Sequence, residues 1–411
     1  MRKPTSKRPS GGSSRSEFVL VLDIGTTGVK ALAFDCSLRL GAKTYRRLAK
    51  SAPRPGWVEQ RPREIIAACR YVLRKVVTEN HLHLADCLGV GLTNQRETTI
   101  LWDRQTGRPV YPAIVWEDRR TRERCAEIRR RWGRLIAERT GLVVDSYFSA
   151  SKIRWILDRV PSARKLLESG RLAFGTVDTW VLWNLCEGHP HLTDDTNAAR
   201  TLLYDIRSRR WSGELLSIFG VPEDVLPEVR SSRSRFGILD RAIFGVKLPV
   251  LAVCGDQQSS LYAALKRFAS LRAATKVTMG TGTFVAQVLG SKFSRHPGFF
   301  TTLAPDTKRS LYALEAKIEG SAASVDKLLG DTPALVRYLE KLAAKINVQL
   351  KRLPVVPKKL VIDGGIIRDG LMKGILARRT GLKIEEQVPY DGTGLGTARL
   401  VFEEARTRRT K

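Results

Sequence analysis

The segment Phe18-Val-Leu-Val-Leu-Asp-Ile-Gly-Thr-Thr-Gly-Val-Lys-Ala-Leu-Ala-Phe34 decides the reading of the fold. Residues 18–22 form an apolar run that reads as a buried strand, 23–28 read as a turn, and 29–34 return as a second strand, so the unit is a β-hairpin. Glycine in the turn lets backbone N–H groups approach anionic oxygens closely, and threonine hydroxyls add donors, a composition that suits phosphate. Asp23 at the strand end is placed to hold Mg²⁺ directly or through water, and Lys30 to put a cation near phosphates. Taken alone, such a turn is more often an ordinary hairpin, and the chain carries no G-x-x-x-x-G-K-[ST] loop.

Working outward, the pattern returns at Lys276-Val-Thr-Met-Gly-Thr-Gly-Thr-Phe-Val285, again strand, Gly/Thr turn, strand. Two such hairpins facing each other across a cleft could grip one polyphosphate. A third turn, Asp363-Gly364-Gly365, follows an apolar run at 359–362. Between these, residues 63–77, 151–160, 162–169 and 177–185 have helical periodicity, whereas 87–92, 98–102 and 249–253 read as strands. Short strands alternating with helices predict an α/β protein. We expect a tail at 1–16, one domain over 17–248, and a second over 249–411.

Two places carry candidate chemistry. Arg96 and Glu97 stand side by side between apolar strands. They read either as a surface ion pair or as a donor and an acceptor for substrate hydroxyls. Asp256 follows the 249–253 strand, where loops of open α/β sheets gather around ligands. It reads either as a helix N-cap or as a base that accepts the proton of an attacking hydroxyl.

Composition narrows the classes. No apolar run approaches the roughly 20 residues that span a bilayer, so membrane insertion is not expected. Residues 1–16 are basic and rich in Ser, Gly and Pro, and read as a disordered tail rather than a signal peptide. The six cysteines lie far apart with no C-x-x-C spacing, as packed thiols of a cytoplasmic protein do. The close pairs His81/His83 and His189/His191 lack a nearby Cys and read as surface loop rather than a metal site. The net charge of +30 raises nucleic-acid binding. However, the basic segment 118–134 interleaves Glu123 and Glu127 with its arginines and, Trp132 apart, lacks stacking aromatics. It reads as a solvated helix face.

The order and spacing of these pieces resemble the FGGY carbohydrate-kinase family, closest to its glycerol-phosphorylating branch. The matching stretches include LVLDIGTTGVKALAFD (20–35), PGWVEQ (55–60), TNQRETT (93–99), YFSASKIRWIL (147–157), FGTVDTW (174–180), CGDQQSSLYAAL (254–265) and MGTGTF (279–284). The resemblance implies a two-domain ATPase fold of the actin/hexokinase/Hsp70 class with a cleft between domains. It implies glycerol and ATP as substrates, Mg²⁺ as the metal, and glycerol 3-phosphate as the product. By position, Thr26, Thr27, Lys30, Gly280, Thr281 and Gly282 would face the ATP phosphates, and Gly364 and Gly365 the adenine. Arg96, Glu97, Tyr147, Asp256 and Gln257 would bind the hydroxyls of glycerol, with Trp116 and Phe284 along its carbons. Asp256 would be the base, and Asp23 and Asp256 would organise Mg²⁺. A catalytically weak homologue that binds polyol, or a kinase of another small polyol or sugar, stays open, as does a homo-oligomer.

The match thins after Phe284. Ala322 and Asp326 stand where the family usually carries Gly and Gln. A block is missing between Gly330 and Leu335, and Ile366-Ile-Arg-Asp369 replaces an asparagine-containing loop. The second domain is therefore expected to be truncated, with apolar faces and a sheet edge left for the remaining chain to cover.

Overall fold

The computed structural model describes residues 17–268, 270–271, 273–280, 282–305, 311–318, 320, 325, 328, 330–367, 370–388 and 391–409. The tail at 1–16 and the positions Ala322 and Asp326 lie outside them.

The opening hairpin forms as expected. Phe18–Ile24 pairs antiparallel with Gly28–Asp35, with Asp23 opposite Lys30. All seven residues of the first strand are buried, because helices cover both faces of its sheet. That sheet has six strands in the order Arg233–Ile238, Pro249–Gly255, Cys87–Asn94, Phe18–Ile24, Gly28–Asp35, Leu40–Arg47. The second sheet runs Phe300–Ala304, Leu311–Ile318, Thr283–Gly290, Thr275–Met279, Lys359–Asp363, Lys383–Glu386. Each sheet has at its centre the first strand of a Gly/Thr hairpin. On one side lies the hairpin partner, paired antiparallel, and on the other a parallel strand. The likeness between the hairpins in sequence thus extends to five strands of each sheet, the sixth being Arg233–Ile238 beyond the parallel strands of the first and Phe300–Ala304 beyond the antiparallel strands of the second.

The expected boundary at 248/249 does not follow the sheets. Pro249–Gly255 pairs parallel with Cys87–Asn94 and so completes the first sheet. The Gly392–Arg409 helix also returns to the first sheet, where Leu395, Val401 and Phe402 share a core with Val19, Val21, Leu32 and Phe34. Its close approach depends on glycine. A Cβ on Gly396 would overlap the Ser259 carbonyl of the neighbouring Asp256–Leu265 helix. The opposite face of the first sheet packs on Pro62–Glu79 and Val177–Leu185. A separate core fills the region between Leu101 and Leu226. The second sheet packs on Thr332–Lys351 and Leu371–Thr380.

Two surface readings gain detail. The helix expected over 118–134 begins at Arg122 and runs to Thr140. Ahead of it, Asp118 is buried, accepts from the Val58 N–H at 2.6 Å, and binds Arg120, whose guanidinium lies 3.8 Å from the Trp57 ring centroid. His189 and His191 lie in a loop, as expected, His189 exposed and His191 partly buried. His189 stacks on Trp183, and His191 packs against Trp102 with Nε2 at 2.8 Å from the Phe174 carbonyl. Burial drives the His191 pKa down to about 4, so the ring is neutral at pH 7. The cysteines are free thiols, with Cys36 exposed and Cys69, Cys125, Cys186 and Cys254 buried.

Candidate active site

The parallel strands of the first sheet end together. Asp23 pairs with Thr93 in register, and Gly255 with Asn94, so Asp23, the turn after Asn94 and Asp256 all emerge at one sheet end. Between them lies the turn Gln95-Arg96-Glu97-Thr98, where Glu97 adopts a φ of 63°, a left-handed conformation rare for a side chain of its size. That local strain is held by three hydrogen bonds. The Thr98 N–H donates to the Arg96 carbonyl, and the Ser149 and Thr99 hydroxyls donate to the Glu97 carbonyl.

The surface ion pair left open for Arg96 and Glu97 is excluded, since both are almost fully buried. Arg96 donates to both carboxylate oxygens of Glu315 at 2.7 and 3.1 Å and to Gln258 Oε1 at 3.0 Å. Its Nε lies 3.1 Å from Asp256 Oδ1. Arg200, with no exposed surface, reaches Glu97 Oε1 at 2.6 Å and Glu315 Oε1 at 3.2 Å. Two arginines and three carboxylates therefore share one buried site. Glu315 comes from the second sheet, so the cluster ties the two halves together. Buried charge of this kind is tolerated only when paired.

Asp256 is the member that opens outward, with 30% of its side chain exposed. Burial pushes its carboxyl up to about 6, Arg96 opposes the rise, and Glu97 adds to it. As the first residue of the Asp256–Leu265 helix, it accepts from the Gln257 N–H at 2.7 Å through Oδ1. The N-cap position belongs to Gly255 and no side chain caps the helix, so the N-cap reading falls and the base reading is the one that remains.

The aromatic residues line one wall. The rings of Trp116 and Tyr147 meet edge to face at 5.4 Å, and Arg200 lies over Tyr147 at 5.6 Å. The Trp116 indole N–H donates to Thr26 Oγ1 at 2.9 Å, which joins this wall to the first hairpin. Thr27 is exposed beside it. Phe284, nearly buried, stands in register opposite Lys317 on the neighbouring strand.

Lys30 is not the free cation expected from the sequence. Its ammonium lies 2.9 Å from Asp23 Oδ2 and 3.1 Å from Asp391 Oδ2, and Lys43 adds a longer contact to Asp391 at 3.5 Å. The two carboxylates push the Lys30 pKa up despite burial, so it stays charged but already neutralised. In the second sheet, the Gly280 N–H donates to the Gly282 carbonyl, while Thr281 between them lies outside the described residues. Gly364 packs directly on this hairpin. Its φ is +105°, and a Cβ there would overlap the Met279 carbonyl. Gly365 begins a short 3₁₀ turn, Gly365–Ile367. Beneath the hairpin, buried Lys276 donates to Asp363 Oδ1 at 2.7 Å and to Ser260 Oγ at 2.5 Å.

Glu315, Arg200, Lys276 and Asp391 were not singled out in the sequence. Glu315 had a signal, as the one acid in the apolar stretch Leu311-Tyr-Ala-Leu-Glu-Ala316. Asp391 had another, as the residue before Gly392-Thr-Gly-Leu-Gly396. The FGTVDTW run, in contrast, builds the core. Asp178 is fully buried, accepts from the Thr176 and Thr193 hydroxyls, and is pushed up to about 7 by burial and by Asp194.

This arrangement of paired hairpins, strand-end acid and interdomain cleft is that of a sugar-kinase-type phosphotransferase fold. Residues 18–263 match the family model for the N-terminal domain of FGGY carbohydrate kinases, and the chain belongs to that family. It is 43% identical over 325 residues to the glycerol kinase of Chromobacterium violaceum, covering 78% of this chain and 64% of that one. It is 44% identical over 275 residues to the glycerol kinase of Aquifex aeolicus, covering 67% and 54%. The chain thus spans less than two thirds of the length of these relatives. Among solved structures it resembles Plasmodium falciparum glycerol kinase with ADP at a TM-score of 0.86 and 27% identity, covering 95% of this chain and 90% of that one. The fold is also that of a ligand-bound xylulose kinase from Lactobacillus acidophilus, at a TM-score of 0.80 and 13% identity, with 95% and 90% covered. Among the described residues no helix is long and apolar enough to cross a membrane.

Proposed function

We propose that the chain transfers the γ-phosphoryl group of ATP to a terminal hydroxyl of glycerol, giving glycerol 3-phosphate and ADP. The observation that carries this reading is Asp256, a carboxyl raised to about 6 and held by Arg96 at the open end of a buried charge cluster. A base with a pKa just below neutrality is ionised at pH 7 and still takes a proton readily. In the step, the substrate oxygen bonds to the γ-phosphorus as its proton passes to Asp256. The bond from that phosphorus to the β,γ-bridging oxygen breaks, and ADP leaves with the electron pair.

Arg96, Glu97, Tyr147 and Gln257 would orient the hydroxyls, and Trp116 and Phe284 would cover the carbons and exclude water. Thr26, whose oxygen accepts from Trp116, keeps its own hydroxyl proton for a phosphate, and Thr27 stands next to it. Gly280, Thr281 and Gly282 would hold the phosphates from the other side, and Gly364 and Gly365 would meet the adenine. Mg²⁺ keeps several waters and takes one or two carboxylates together with substrate phosphates. Asp23 and Asp256 flank the Cys87–Asn94 strand end, a donor set that fits an ion arriving with the nucleotide. They would hold it, and it would spread the phosphate charge. A cytoplasmic setting suits both ATP and the free thiols.

The test is coupled ADP release from the full chain with glycerol and Mg-ATP, beside Asp256→Asn. Turnover that the substitution reduces by at least about a hundredfold is expected. A wild-type chain that binds glycerol by calorimetry but releases no ADP would replace this reading with that of a polyol-binding protein.

A further inference from the structure

One group in the acceptor pocket plays no part in the scheme above. Lys317 belongs to the Leu311–Ile318 strand, whose other described side chains are buried, whereas Lys317 is exposed. Direct antiparallel pairing puts it opposite Phe284, so the two side chains leave the sheet on one face. Its ammonium lies 4.5 Å from the Trp116 ring centroid and 5.5 Å from that of Tyr147. The residues assigned to the carbon-covering wall thus surround an amine. Cation–π contact with two rings, one of them tied to Thr26, gives this charge a fixed place.

The amine lines a cavity of about 500 Å³ with Trp116, Tyr147, Arg119, Arg122 and Asp145. The acids in this wall are largely engaged. Asp118 is bound by Arg120 and Glu117 lies 2.7 Å from Lys50, whereas Asp145 accepts from the Tyr147 N–H at 2.9 Å and its charge acts on Lys317. Arg119, Arg122 and Lys317 leave the mouth of the cavity with an excess of positive charge. Neutral glycerol gains nothing from that excess. A polyol whose end remote from Asp256 carries a negative group would gain a charge-assisted hydrogen bond.

We propose that Lys317 makes this pocket a site for small polyols that carry an anionic terminal group, a carboxylate or a phosphate. The inference rests on reading the cavity as the acceptor site.

The probes are glycerol, D-glycerate for the carboxylate and D-erythritol 4-phosphate for the phosphate. Their binding to the full chain is measured by calorimetry in low and high salt, for the wild type and for Lys317→Met, which keeps the stem packed on the rings without the charge. We expect the affinity of at least one anion relative to glycerol to fall about tenfold in the variant, and that preference to weaken in salt. The anion that responds identifies the group. If neither anion loses affinity relative to glycerol, the proposal is overturned. If the preference depends on Lys317 while no acceptor supports ADP release, the site assignment stands and only the kinase reading falls. Circular dichroism of the variant guards against loss of fold, and Lys317→Arg should restore the preference.

Discussion

The two halves of the molecule repeat one sheet plan but bury charge differently. In the first, the end of the sheet holds Arg96, Glu97 and Asp256 in a network that also takes in Arg200 and, from across the cleft, Glu315. In the second, the described residues beneath the hairpin hold a single pair, Lys276 with Asp363. Both halves expose large hydrophobic side chains among the described residues, Tyr45, Tyr71, Val143 and Val246 before residue 249 and Leu271, Val348, Val355, Val356, Leu371 and Val388 beyond it. The contrast teaches that two sheets of similar plan can end in a shared network of charges in one case and a single pair in the other.

The comparison is broken most sharply at Glu315. Replacing it with Ala removes the carboxylate that Arg96 and Arg200 share, leaving them Asp256, Gln258 and Glu97, and should cost about 3–5 kcal/mol in urea unfolding. Hydrogen exchange should rise on both sides of the cleft. If only the second sheet loosens, Glu315 does not join the halves. Lys276→Met should cost less, about 2–3 kcal/mol, because Asp363 keeps the Ser260 hydroxyl at 2.5 Å. Its effect should stay within the second half, as exchange measured on the same sample would show.

Acidity probes the first half alone. The Asp256 carboxyl is raised to about 6, and the base must be ionised, so kcat/KM should fall about tenfold per unit once pH drops below that value. The sign for stability is opposite. A carboxyl raised on folding favours the protonated native state, so its contribution is present below the unfolded pKa and is lost as pH rises through about 6. A limb near 4 in the rate profile would remove Asp256 as the base. The smallest effect is expected at Val348, 60% exposed on the Thr332–Lys351 helix. Val348→Lys should leave stability within about 0.5 kcal/mol while reducing retention on a hydrophobic column.

The hairpins and the helices at 63–77, 151–160, 162–169 and 177–185 were legible because their signals are local, in periodicity and turn residues. So were Arg96, Glu97 and Asp256, charged residues that interrupt apolar strands. What escaped was long-range. Nothing near Pro249 tells that its strand pairs with Cys87–Asn94, and nothing near Lys30 tells that Asp391 will neutralise it, since the two meet only through the fold. The partial burial of His191 escaped for the same reason. It lies in a loop, as its polar composition suggested, but its aromatic neighbours Trp102 and Trp183 come from two other segments.

The Gly392–Arg409 helix has a consequence for how the molecule is made. It fills the face of the first sheet formed by Val19, Val21, Leu32 and Phe34, residues that leave the ribosome several hundred positions earlier. The hairpin at 18–35 must therefore wait, with one apolar face uncovered, until residues 392–409 have been synthesised. Pairings that distant are slow to close and expose intermediates to aggregation. For this protein, the Gly392–Arg409 helix decides when that face of the first sheet is covered.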